Sequence, residues 1–233
     1  MSNDLFSSFT LGSLSLPNRV VMAPMTRSRA DADHVPTAIM AEHYAARAAA
    51  GLLITEGTGP DANGTAYARI PGIWNEAQVE GWRAVTDAVH AQGGRIALQL
   101  MHCGRVGHPH NLAEGAELVA PSAVAAPGEM YTDAEGPQPH PAPREMTEAD
   151  IEATIEGYVQ AARNAVAAGF DMVEVHGANG YLIDQFLTPG VNQRTDAWGG
   201  DATGRGRCAL EVARRTAAAI GTERVGIRLS PGG

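Results

Sequence analysis

Five short apolar runs alternate with longer amphipathic stretches, and this alternation constrains the chain more than any other feature. The runs fall at residues 20–23, 52–55, 95–100, 172–175 and 225–229, and are too short and too β-branched to be helices. Between them, residues 37–50, 76–92, 147–168 and 206–220 carry apolar residues at helical spacing. Stop signals agree: Gly51 closes the first helix, Gly93 and Gly94 the second and Gly169 the third. Thr147 with Asp150 three residues on predicts a capping box, with Asp in place of the usual Glu. Strand–helix alternation of this length builds parallel βαβ units, hence an α/β fold.

A doubly wound sheet and a TIM (β/α)8 barrel share this local grammar. No GxGxxG follows the first strand, which weighs against a dinucleotide-binding sheet. Polar residues instead stand at the C-terminal ends of the strands: Thr26, Glu56, Gln99, His176 and Arg228. In a barrel those ends converge on one mouth, where catalysis occurs. A TIM barrel is therefore expected, with about its first five strands in this chain against the eight of a closed barrel. Residues 1–233 read as the N-terminal portion of a single barrel domain, with its first and fifth strands as open edges. A complementing C-terminal chain or an oligomer partner is the expected cover.

The net charge of -9 argues against nucleic acid or an anionic membrane as partner. Cys103 and Cys208 are the only cysteines, so no disulfide framework is expected. The N-terminal residues lack a basic segment followed by an apolar run, and no stretch matches the roughly 18 apolar residues of a spanning helix. A cytoplasmic location is the expectation. Residues 102–146, rich in Pro, Gly, His and Ala, predict a long excursion outside the core. Within it His102, Cys103, His108 and His110 offer zinc-type ligands, but HCGRVGHPH lacks a familiar ligand spacing and no metal site is expected.

Several separated segments carry a more specific signal. LGSLSLPNRVVMAPMTRSRA, ITEGT, AYARIPGIW, ALQLMHCGR, HGANGYLIDQFLTPGVNQRTDAWGG and VGIRLSP follow one another along the whole chain. In content and order they resemble the old yellow enzyme family of FMN-dependent ene-reductases. The resemblance implies FMN as cofactor, NADH or NADPH as reductant, and small activated alkenes such as α,β-unsaturated ketones or aldehydes as substrates. It places Pro24, Met25 and Thr26 against the flavin ring, with the Thr26 hydroxyl near the C4 carbonyl and N5. Gly57 matches a small residue that admits the backbone to the cofactor. Gln99 carries both donor and acceptor for the pyrimidine edge, and Arg228 a permanent charge near N1.

His176 and Asn179 match the pair that holds and polarises the substrate carbonyl, Tyr181 the proton donor, and Tyr67 an aromatic lining the substrate pocket. Hydride would pass from the nicotinamide to the flavin and then to the alkene, in ping-pong order. Met101 stands where many members carry tryptophan, which reshapes the pocket. DATGRGR replaces a Glu-Asn-Arg run, and its glycine costs a helix about 1 kcal/mol against alanine. The resemblance also implies that the FMN phosphate is held by loops after the seventh and eighth strands. The alternative functions are a truncated or split fragment without independent activity and, behind it, a metal-binding barrel protein.

Overall fold

The computed structural model describes residues 4–231. A hairpin of β1 (Phe9–Leu11) and β2 (Leu14–Leu16) precedes β3 (Val21–Met22), α1 (Ala38–Ala45) and β4 (Leu52–Thr58). Then come α2 (Glu76–Ala91), β5 (Ile96–Leu100) and four short strands, β6 (Val119–Ala120), β7 (Glu129–Thr132), β8 (Gly136–Pro139) and β9 (Arg144–Glu145). The chain continues through α3 (Glu148–Ala167), β10 (Met172–Gly177), α4 (Leu182–Leu187), α5 (Ala202–Ile220) and β11 (Val225–Leu229). The main sheet is parallel, in the order β11-β10-β5-β4-β3, so every crossover returns to the neighbouring strand. This is the expected TIM-barrel architecture, five strands of it.

Alternation along each strand sorts the side chains between two environments. Leu53, Ile96, Leu98, Leu100, Val173 and Val175 point outward and pack with Trp82, Ile155, Tyr158 and Phe186 into the main core. Leu52, Ile54, Ala97 and Met172 point inward, where Leu11, Leu14 and Leu16 of the hairpin close the N-terminal end of the sheet. Farther along the same inward rows stand Gln99 paired with Glu174, and His176 paired with Arg228. The strand period alone thus carries polar groups to one end.

In β4 the register slips between Ile54 and Gly57, leaving Thr55 and Glu56 opposite a single residue of β5. This bulge keeps Gly57 in line with Gln99 and turns the buried Glu56 toward the first strand. Glu56 accepts the Arg27 backbone N–H at 3.1 Å and the Tyr44 hydroxyl at 3.2 Å, fixing the loop that follows β3.

Some expected boundaries are corrected. The first helix ends at Ala45 rather than running to residue 50. Arg47, Ala48 and Ala50 make bonds only three residues back, and Asn18 Nδ2 takes the Ala49 carbonyl at 2.9 Å. Gly51 donates to the Val20 carbonyl at 2.8 Å just before β4 begins, so it leads into a strand instead of capping a helix. The last helix begins at Ala202, not at residue 206, because the Asp201 carboxylate caps the Gly204 N–H at 2.9 Å. A Cβ at Gly204 would lie 2.0 Å from the Gly199 carbonyl oxygen, so the first helical turn seats on the Trp198–Gly200 turn only with glycine there. The short helix α4 lies inside the HGANGYLIDQFL segment, where the sequence predicts no separate helix.

The capping box at Thr147 and Asp150 is present in both directions. Strands β6 to β9 of residues 102–146 pair outside the main sheet, yet Cys103, Leu118, Val119, Ala120 and Met130 are buried, with Val119 in the main core and Cys103 and Leu118 in a second cluster. The two outer strands are open: Val21 is 48% exposed, Ile227 42% and Leu229 55%, whereas Val175 on the inner strand β10 is fully buried. Among the described residues, no helix is long and apolar enough to cross a membrane.

Candidate functional site

Ten residues from five separate strand ends line one cleft of about 140 Å³: Pro24, Met25, Thr26, Gly57, Gln99, Met101, His176, Asn179, Tyr181 and Arg228. Every residue expected to hold a flavin ring is among them, and so are His176, Asn179 and Tyr181. Tyr67 reaches the site indirectly, its hydroxyl 3.0 Å from that of Tyr181.

The end of β10 sets the chemistry. The His176 ring is buried, and its Nδ1 accepts the Ala178 N–H at 3.3 Å. An accepting Nδ1 leaves the proton of a neutral imidazole on Nε2. Burial, and next the charge of Arg228, lower the His176 pKa to about 4, so the ring is a neutral donor at physiological pH. Asn179 adopts a left-handed backbone with φ of 56°, followed by Gly180 at 80°. Asn, with a short polar side chain, is among the few residues that tolerate this conformation. The turn is pinned from both sides: Asn179 N–H donates to Ser230 Oγ at 3.0 Å, and Gly180 N–H to Asp184 Oδ2 at 2.7 Å. Tyr181 is the N-terminal flanking residue of α4, and its ring meets His176 edge-on at 4.8 Å.

Across the cleft, Gln99 Nε2 donates to Glu174 Oε1 at 2.7 Å, which orients the amide and leaves its second N–H and its oxygen for a ligand. A Cβ at Gly57 would come within 2.5 Å of the Met101 sulfur, so glycine there lets the Met101 thioether lie along the cleft wall. Arg228 is exposed and forms no ion pair among the described residues. Sequence reasoning missed Glu174 and Ser230, and it named Glu56 only as a strand-end polar residue, without its bonds to the Arg27 N–H and the Tyr44 hydroxyl. The first was legible, since it precedes His176 by one strand period; the others depend on a bulge and a turn that no local pattern announces.

The arrangement fits the head of a flavin. A planar ring with a polar edge needs an apolar wall, a few directed hydrogen bonds and a cation for the charge it acquires on reduction. Pro24 and Met25 offer the first, Thr26 and Gln99 the second, and the unpaired Arg228 guanidinium the third. The alternative metal cluster does not form, for among the described residues no three His, Cys, Asp or Glu gather around a common point. His102 is buried with Nδ1 accepting the Gly104 N–H at 3.1 Å, and burial pushes the Cys103 thiol up to about 12.

Comparison with known proteins agrees with this geometry. Residues 4–233 match the model of the NADH:flavin oxidoreductase / NADH oxidase family. A chanoclavine-I aldehyde reductase of Penicillium roqueforti is 52% identical over 231 residues, covering 97% of this chain and 60% of that protein. A probable flavin mononucleotide-dependent alkene reductase of Leishmania infantum is 50% identical, covering 95% of this chain and 62% of its own length. Among solved structures, the old yellow enzyme homologue of Zymomonas mobilis superposes with a TM-score of 0.94 at 46% identity, over 98% of this chain and 64% of that one. Morphinone reductase in complex with tetrahydroNAD gives 0.92 at 49% identity, again over 98% and 64%. The chain thus spans about 60% of the length of these curated relatives. With the fold, the strand-end residues and the match from residue 4 onward in agreement, this chain belongs to the NADH:flavin oxidoreductase / NADH oxidase family, whose old yellow enzyme members use FMN.

Proposed function

We propose that this chain carries the flavin-ring and substrate portion of an NADH- or NADPH-driven ene-reductase acting on α,β-unsaturated carbonyl compounds. The observation that carries the reading is the convergence of His176, Asn179 and Tyr181 with Thr26, Gln99 and Arg228 on a single cleft. FMN, when bound, supplies the hydride that reduces the alkene after accepting one from the nicotinamide.

The chain's own residues do the rest. Pro24 and Met25 would hold the ring, the Thr26 hydroxyl and the Gln99 amide would engage its polar edge, and the Arg228 charge would favour the negative charge the ring gains on reduction. His176 Nε2–H and the Asn179 side-chain amide donate to the substrate carbonyl oxygen, withdrawing electron density from the conjugated double bond. A neutral His176 suits this task, because it polarises the oxygen without itself giving up a proton. Tyr181 delivers the proton to the α-carbon. The apolar cluster of Ala66, Ile70, Met101, Cys103 and Leu118 beside Tyr67 and Tyr181 keeps water from the hydroxyls.

The test is Tyr181→Phe, read on the two half-reactions separately in flavin-loaded protein. Alkene reduction should slow by about 10²-fold or more, with reduction by NAD(P)H unchanged. Equal slowing of both would sink the proton-donor role.

A second reading is favoured by the open edges at Val21, Ile227 and Leu229: that residues 1–233 work only when a complementing C-terminal segment or a partner covers them. Mixing the chain with the C-terminal part of a relative and following FMN retention separates the two readings.

A further inference from the structure

The Tyr67–Tyr181 contact is a hydroxyl–hydroxyl hydrogen bond of 3.0 Å between the excursion after β4 and the start of α4, 114 residues apart in sequence. Between two hydroxyls only one proton lies on the line joining the oxygens, so the direction of donation matters. We propose that Tyr67 is a positioning residue that donates to the Tyr181 oxygen, leaving the Tyr181 proton aimed at the substrate and holding the phenolate left when that proton is delivered. This inference rests on the proton-donor reading of Tyr181 and extends it.

The balance of the step shows why a donor is needed. The Tyr181 O–H bond breaks, its proton forms the new C–H bond at the α-carbon, and the electron pair stays on the Tyr181 oxygen. The hydride, drawn originally from NAD(P)H, supplies the other new C–H bond at the β-carbon. An uncompensated phenolate in a half-buried site is costly. The groups facing Tyr181 leave little alternative compensation. His176 presents its ring edge-on at 4.8 Å and is spoken for at Nδ1, while Cys103 is a buried thiol held in its protonated form. Tyr67 is the neighbour whose hydroxyl reaches the oxygen.

The two phenols are also not equivalent. Burial raises the pKa of both, but the Tyr67 hydrogen bond pulls that of Tyr181 back down, whereas the Tyr181 neighbour pushes that of Tyr67 farther up. These directions accord with Tyr67 as donor and Tyr181 as the acid, the assignment that the chemistry of proton delivery requires. The rings meet at 62° with centroids 6.2 Å apart, an edge-on packing that holds the hydroxyls together without stacking.

The experiment places 3,5-difluorotyrosine at position 181, so that ionisation falls within the range the fold tolerates, and titrates it by ¹⁹F NMR in the full chain with and without Tyr67→Phe. Loss of the donor should raise the midpoint by about one pH unit, the effect of one hydrogen bond to a charged oxygen. Equal midpoints would overturn the pairing whether or not Tyr181→Phe impairs alkene reduction, so the two readings fail separately. In flavin-loaded protein Tyr67→Phe should lower kcat for the alkene roughly tenfold with KM nearly unchanged and flavin reduction intact. A raised KM with intact kcat would make Tyr67 a wall of the pocket, and would overturn the role argued here.

Discussion

His176 shows how one side chain's surroundings decide its charge and tautomer. A histidine on an exposed strand end would be partly charged near neutrality and would compete to give up its proton. Here burial and Arg228 hold the ring neutral down to about pH 4, and the Ala178 N–H selects the tautomer that presents Nε2–H. The same shift has a stability consequence with a definite sign. The folded pKa of about 4 lies below the unfolded value of about 6.5. Below the latter the unfolded chain binds a proton that the folded chain refuses, so the contribution is fully present above it and is lost as pH falls toward the folded value. Urea midpoints of the parent and His176→Asn, measured from about pH 7.5 down to about pH 4.5, should converge or cross as pH falls, because only the parent carries this penalty. Parallel curves would show that His176 titrates normally.

At the level of elements, α5 shows that a sequence rule can be right about cost and wrong about sign. Glycine inside a helix weakens it by about 1 kcal/mol against alanine, so Gly204→Ala would ordinarily stabilise. At this position the added methyl meets the Gly199 carbonyl oxygen at 2.0 Å, against backbone that cannot move without disturbing the Asp201 cap. Gly204→Ala should therefore destabilise by about 1–3 kcal/mol in denaturant melts; a rise in the midpoint would refute the packing argument. Thr147→Ala is the companion measurement, expected to cost about 1 kcal/mol through loss of the capping box.

These elements also show what was legible in the sequence. Strand and helix order, the capping box and the inward row Gln99, His176 and Arg228 follow from periodicity and stop signals. The early end of α1, the start of α5 at Asp201 and the bulge that turns Glu56 toward Arg27 do not. The end of α1 and the bulge depend on contacts with distant chain, to Asn18 and to β5, whereas the start of α5 is a local Asp201 cap on Gly204 that the two glycines of the segment obscured. The site was legible as residues and not as a network: Tyr67 was expected in the pocket, but its bond to Tyr181 is a product of tertiary packing.

On the scale of the whole molecule, five parallel strands bring five loops to one end while the hairpin of β1 and β2 closes the other. That polarity is why residues spread from Pro24 to Arg228 share a cleft. The flanking strands β3 and β11 keep unpaired backbone and exposed apolar side chains at Val21, Ile227 and Leu229. Such edges pair readily with added strands, so a covering segment should raise stability and flavin affinity together.

The most direct measurement is a difference-absorption titration of FMN with the purified chain and with Arg228→Gln. A flavin ring seated at the strand ends should give a saturable perturbation of the visible bands, weakened about tenfold when the guanidinium is removed. The spectrum of free FMN at every protein concentration, or identical titrations for the two proteins, would contradict the assignment of this cleft to the flavin.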